Sequence, residues 1–263
     1  MNWTRVWHLD FNIEKCKIMR IGHKHQADHK LNGVKLEEVE EERDLGITLA
    51  NSLKPSSRCA KAAAKAMQVL GLIKRNFVIN DEDDFRLLFN GFVCPHLEYC
   101  MSVCSPYLRK DIECLENVQR MASKMVKGMK HKLYEERLKL LGITSLEKRR
   151  VSGNLIQVSQ IVKGFDSLNT DNFFELDNGG DHALRGHKWK LKVMICRLQL
   201  RKYFFSQMVI SSWNKLPEHV VDAYSVNSFK KQLDDCLEGV DISATICFYP
   251  ESYKLQVKRP GLK

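Results

Sequence analysis

Residues 93–128 read VCPHLEYCMSVCSPYLRKDIECLENVQRMASKMVKG, and the signals in this stretch decide the fold class. Pro95 has no N–H to donate and its ring crowds the preceding turn, so a helix arriving from upstream must kink or end there. Ser105-Pro106 then offers a capping hydroxyl followed by a residue whose fixed φ suits a first turn, which predicts a new helix. Within that helix Ile112, Leu115, Val118, Ala122 and Met125 recur at three- and four-residue intervals, the spacing of one buried stripe.

The same period extends outward. Ala62, Ala66, Val69 and Ile73 form an apolar stripe, with Arg58, Lys61 and Lys65 as a second stripe beside it, so a packed face and a basic face share one helix. In NDEDDF (80–85), Asn80 or Asp81 is expected to cap a helix running through Phe85, Leu88, Phe89 and Phe92. Carboxylates there suit the positive end of the helix dipole, so Asp83-Asp84 reads as capping chemistry and not as a polymerase aspartate pair. Thr144-Ser-Leu-Glu147 spells a capping box for a further helix with Leu155, Ile156, Ser159 and Val162 on its apolar side. A last helix from Ser225 to Leu237 turns Val226, Phe229, Leu233 and Leu237 inward.

The flanks read differently. Residues 13–21 alternate well enough for a strand, and Asn32-Gly33 is a strong turn signal for a small hairpin. Residues 164–184, rich in Asp, Asn and Gly, read as a linker. Between residues 185 and 202 stand seven Lys and Arg and no acidic residue, with Lys188, Lys190 and Lys192 alternating against Trp189, Leu191 and Val193, which suggests a strand with one basic face. The expected fold is mainly α with a small N-terminal β-hairpin region. Its units are residues 1–50, a helical bundle over 51–163, the linker 164–184, a basic unit over 185–238 and a tail over 239–263.

Composition narrows the function classes. The chain of 263 residues has a formal charge of +10, and residues 51–163 carry 20 Lys and Arg against 11 Asp and Glu. Such an excess suits polyanionic partners, because bound phosphates release condensed counterions. No apolar run approaches the roughly 18 residues of a membrane span, and no secretory signal opens the chain. The nine cysteines lack framework spacing and read as reduced thiols, so an intracellular protein, nuclear or cytoplasmic, is expected.

The order of several blocks also resembles one family, the reverse transcriptases of LINE-type (non-LTR, jockey-like) retrotransposons. The resemblance rests on FNIEKCKIMRIG (11–22), LNG (31–33), RDLGI (43–47), the Pro-His-Leu-Glu-Tyr-Cys and Leu-Glu-x-Val-Gln-Arg segments of 93–128, YEERLKLLGITSLEKRR (134–150), RGHKWKL (185–191), RKYFFSQMVISSWNKLP (201–217) and SVNSFKKQLD (225–234). It implies the end of a palm with its primer grip, a thumb over 51–163 and a C-terminal region. In the family the catalytic aspartates precede the Phe-Asn-x-x-Lys-Cys-Lys segment, and ahead of Phe11 only Asp10 is acidic. The expectation is a fragment that is not itself an enzyme, since two-metal phosphoryl transfer requires several converging carboxylates. Cys94, Cys104 and Met208 stand where the family commonly has Arg, Trp and Arg.

The resemblance implies a thumb lying against RNA, DNA or their hybrid and touching phosphates without reading sequence. The candidate contacts are Lys15 and Lys17 in the primer-grip-like segment, Arg58, Lys61 and Lys65 on the basic stripe, and Arg185, Lys188, Trp189, Lys190 and Lys192 in the basic segment, where Trp189 and Tyr203 offer stacking faces. His96, Cys100 and Cys104, with Cys94 nearby, have the spacing of a zinc site. Buried small cysteines explain them as well. His23, His25 and His29 read as a solvated turn, and neither a metal nor any other cofactor is expected. Two alternatives to a binding module stay open: a decayed element with no selected activity, and a piece of a longer active enzyme.

Overall fold

The computed structural model describes residues 2–22, 27–103, 105–177 and 186–237. A short helix, α1 (Asn2–Trp7), and a 3-10 turn at Ile13–Lys15 precede the strands. These are β1 (Lys17–Ile18), β2 (Lys30–Leu31), β3 (Val34–Lys35), β4 (Glu37–Glu38), β5 (Glu41–Asp44) and β6 (Ile47–Ala50). They make three separate pairs, β1 with β4 in parallel and the other two as antiparallel hairpins.

The expected hairpin is present: Leu31 faces Val34 across Asn32 and Gly33, whose φ angles of 49° and 81° are those of the mirror-image turn that Asn-Gly favours. The next hairpin uses the same turn at Leu45 and Gly46, with φ of 47° and 81°. The strand expected over residues 13–21 shrinks to β1. Asn12 is the reason, because its side chain accepts from the Glu14 N–H at 3.0 Å and winds 13–15 into the 3-10 turn.

From residue 56 the chain is helical. Helix α2 (Ser56–Asn76) buries Cys59, Ala63, Ala66, Leu70 and Ile73, a stripe of small residues on its N-terminal half that lets neighbouring helices approach closely. Ala62 and Val69, expected in that stripe, lie half-buried at its border. Helix α3 (Glu82–Leu88) is capped by Asp81, which accepts from the Asp84 N–H at 2.9 Å, while Asp84 accepts from the Asn80 N–H at 3.3 Å. Asp83 pairs with Arg86, so the acidic run is accounted for by helix capping and its first turn. Phe85 and Phe89 stack with centroids 5.1 Å apart in the core, but Phe92 faces solvent. The displacement comes from a π turn at Phe89–Val93, which absorbs the mismatch that Pro95 imposes before α4 (Cys94–Glu98) resumes.

Helix α5 (Arg109–Ser123) begins three residues past the expected Ser105-Pro106 start. Residues 105–108 stay outside the helix instead, with Pro106 buried and Tyr107 stacked on Tyr203 at 4.4 Å. Leu115, Val118 and Ala122 are buried as expected, with Ile112 and Met125 half-buried beside them. Next come α6 (Tyr134–Leu140) and α7 (Leu146–Val162). Ser145, not Thr144, caps α7 by accepting from the Lys148 N–H at 3.2 Å, while the Thr144 carbonyl just ahead of it accepts from the Gln119 amide at 2.9 Å. Short helices α8 (Gln199–Lys202), α9 (Phe205–Met208), α10 (Ile210–Asn214) and α11 (Glu218–Val221) lead to α12 (Val226–Leu237), in which Phe229, Leu233 and Leu237 are buried.

Two cores result, and α7 belongs to both. Leu146 closes the core shared by α2, α3, α4 and α5, whereas Val151, Leu155, Val158 and Ile161 pack against α9 to α12. Each such aliphatic side chain, fully buried, stabilises by about 1.5–3 kcal/mol. The boundary expected at residue 164 therefore falls inside α7. Nor is the described part of 164–184 a free linker: Phe174 is buried edge-on to Phe205, and Leu176 bridges Leu191.

The bundle also buries a polar network at the α5–α6–α7 junction. Glu116 accepts from the Tyr134 hydroxyl at 2.5 Å and from the Leu146 N–H at 3.2 Å, joining α5 to both following helices. Arg137 is 3% exposed and donates to the Ser123 hydroxyl at 3.0 Å and the Lys132 carbonyl at 2.6 Å. Burial, with the nearby Glu116 carboxylate, pushes the Tyr134 hydroxyl well above its ordinary pKa.

Candidate nucleic-acid interface

A groove of about 740 Å³ runs between the β5–β6 hairpin, α2 and α4, lined among others by Arg43, Arg58, Lys61, Lys65, His96 and Tyr99. The Tyr99 hydroxyl donates to the Leu45 carbonyl at 2.8 Å and fixes the hairpin tip over the groove. The basic stripe of α2 does meet this groove, but its three cations differ in kind. Arg58 is only 6% exposed and sits in the wall, because position 58 adjoins the buried Cys59 face. Lys61 is exposed and bonded to Glu41 at 2.9 Å. Hydrogen bonds from Ser57 and Lys61 hold the Glu41 carboxyl below its usual range. Lys65 alone is exposed and makes no ion pair among the described residues.

The other candidates divide in the same way. Lys15 ends the 3-10 turn in solvent, while Lys17 is paired with Glu37, whose hydrogen bond raises the lysine pKa. Arg185 lies outside the described residues. Lys188 meets Asp222 at 3.6 Å and Lys192 meets Glu175 at 2.7 Å, a hydrogen bond that raises the Lys192 pKa. Lys190 is half-buried. The expected basic strand is a turn ending in the single Leu176–Leu191 bridge.

Its stacking aromatics are engaged too. Trp189 packs on the C-terminal core, and Tyr203 is covered by Tyr107. The segment is clamped by α10: the Trp213 indole N–H donates to the Trp189 carbonyl at 2.7 Å, and the Asn214 side chain pairs with both the N–H and the carbonyl of Leu191, at 2.9 and 2.8 Å. His187 Nε2 adds a bond to the Trp213 carbonyl at 3.1 Å. GHKWKL (186–191) and SWNKLP (212–217) are thus two halves of one packing unit.

His187 is 3% exposed, and its burial holds its pKa below the ordinary 6.5 despite that bond. An unfolded chain then binds the proton more readily than the folded one, so this group's stabilisation is complete above pH 6.5 and is lost as the pH falls below it. Lowering the pH from about 7.5 to about 5.5 should reduce the thermal midpoint of the wild type more than that of His187→Gln. Equal reductions in melting curves of the two proteins would remove His187 from the pH response.

Sequence reasoning passed over another set of cations. Lys74 and Arg75 end α2, and Lys124, Lys127 and Lys130 follow α5; all five are exposed and form no ion pair among the described residues. The two groups meet at one end of the bundle, where the Lys127 N–H donates to the Ile79 carbonyl at 3.2 Å and Ile73, Ile79 and Val126 share the core. The three-residue recurrence of lysine in SKMVKGMK was the available signal.

For the suggested metal ligands, Cys104, His23 and His25 lie outside the described residues, and His29 is exposed. Cys94 is buried, which pushes its thiol up to about 12. No three His, Cys, Asp or Glu side chains among the described residues are placed to share an ion. No described helix is long and apolar enough to cross a membrane. No family model, no curated protein and no solved structure matches the chain.

Proposed function

We propose that this chain is a C-terminal piece of a LINE-type reverse transcriptase that binds RNA, DNA or their hybrid through phosphates, without sequence preference and without template-directed synthesis of its own, inside the cell. The observation that carries the reading is the end of the helical bundle where Lys74, Arg75, Lys124, Lys127 and Lys130 stand exposed and unpaired among the described residues. Unpaired surface cations can exchange condensed counterions for phosphates. Lys61, Lys188 and Lys192 already face carboxylates and have less to gain.

The test is a salt titration of duplex binding. Log affinity should fall linearly with log salt, at about 0.9 per phosphate contact. Lys124, Lys127 and Lys130 replaced together by Gln should flatten the slope by about 2–3 units, whereas Lys61→Gln should change it by less than about 1. A triple variant with the wild-type slope would overturn the assignment of this surface.

A further inference from the structure

A second cleft, of about 770 Å³, lies between the first half of α7, the Glu98–Ser102 segment and α12. Four cations line it, Lys148, Arg149, Arg150 and Lys230, against two carboxylates, Glu98 and Asp234. Two of the four are occupied by the protein itself. Lys148 Nζ donates to the Leu237 carbonyl at 2.9 Å, and Arg149 Nη2 donates to Glu98 Oε2 at 2.9 Å.

Arg150 is different. It is 4% exposed, and neither Nη1 nor Nη2 has a hydrogen-bond partner. A guanidinium cannot discard its proton, and an uncompensated buried charge is strongly unfavourable. Asp111, a buried carboxylate whose effect on the Cys59 thiol opposes that of Arg150, accepts from the Ser56 hydroxyl at 2.7 Å and is not in an ion pair with Arg150. Glu116 is engaged by Tyr134 and Leu146. Arg150 thus lines the cleft with its double donor buried behind the surface, and no described carboxylate pairs with it.

We propose that this cleft is a phosphate site, in which Arg150 takes the oxyanion through both Nη atoms and Lys230 supplies the charge at the rim. The planar fork of a guanidinium matches two phosphate oxygens, and a cleft of several hundred cubic ångströms accommodates a group of mononucleotide size. Binding requires the guanidinium to turn on its flexible stem towards the cleft. The site is separate from the bundle-end cations, so it stands or falls independently of duplex binding.

Thermal denaturation of the full chain at constant ionic strength tests this, with sodium phosphate titrated against sodium chloride. A ligand that binds only the folded state raises the melting temperature with its concentration. Phosphate should raise it well beyond chloride. Arg150→Met should weaken the response at least about tenfold, since charge-assisted hydrogen bonds are lost. Should that variant fail to fold, Lys230→Gln, a change at an exposed side chain, should still weaken the response severalfold. A nucleoside monophosphate and its nucleoside form the second arm. Tighter binding of the monophosphate than of phosphate assigns a nucleotide, and equal binding assigns free phosphate. No phosphate effect beyond chloride, or wild-type responses from both variants, would overturn the proposal.

Discussion

Trp213→Ala is expected to unfold the C-terminal core. Trp213 is fully buried, edge-on to His187 at 5.9 Å and tilted against Phe229 at 6.0 Å, and its indole N–H holds the Trp189 carbonyl. Truncating a buried tryptophan costs about 3–5 kcal/mol, a large share of the roughly 5–15 kcal/mol that stabilises a typical domain. The effect should exceed that of simple volume loss, because the Trp189 carbonyl and the His187 contact lose their partner together. Asn214→Ala, which frees both polar groups of Leu191, should cost about 1–3 kcal/mol. Near-ultraviolet circular dichroism and urea unfolding distinguish the two. If Trp213→Ala melts within a few degrees of the wild type, the clamp between α10 and residues 187–191 is not what holds this core.

That clamp marks where the sequence stops being readable. Helical periodicity found α2, α3, α5, α7 and α12, though not the ends of α3 and α5, because an apolar stripe is written locally, in residues three and four apart. The Asn32-Gly33 hairpin and the Asp81 cap were equally local, each set by the side chain at the turn itself. The basic strand expected at residues 188–192 failed for the opposite reason. Its alternation was real, but Trp189 and Leu191 are ordered by Trp213 and Asn214, more than 20 residues onward, and their backbone groups bond there instead of along a sheet.

The candidate site was less legible than the fold. Whether a lysine is free depends on carboxylates that only folding brings near it, as Glu41 meets Lys61 across 20 residues and Glu175 meets Lys192 across 17. Surface pairs of this kind contribute little to stability, about 0–1 kcal/mol, but they change which cations remain for a phosphate. Arg58 was misplaced by the width of one helical position, since a residue next to a buried cysteine sits at the edge of the packed face. The surface best supplied with unpaired charge lies instead at the last turn of α2 and just past the end of α5, where the apolar stripes that mark those helices run out.

The Leu-Glu-x-Val-Gln-Arg segment that carries much of the family resemblance makes its own prediction: its glutamate and glutamine are parts of the fold. Glu116 is 6% exposed and joins α5 to Tyr134 of α6 and to the first backbone N–H of α7; Gln119, fully buried, holds the Thr144 carbonyl just ahead of that helix. Glu116→Ala should therefore cost about 2–4 kcal/mol, since it strands a buried hydroxyl and a buried N–H in addition to removing two bonds. Tyr134→Phe alone should cost about 1–2 kcal/mol. Because the two residues share one hydrogen bond, the double variant should be less destabilised than the sum of the singles by about 1 kcal/mol. Urea unfolding with an unchanged denaturant slope gives all three values. Strict additivity would show that Glu116 and Tyr134 act separately, and loss of salt-dependent duplex binding by a folded Glu116→Ala variant would assign this segment a part in binding and not in the fold alone.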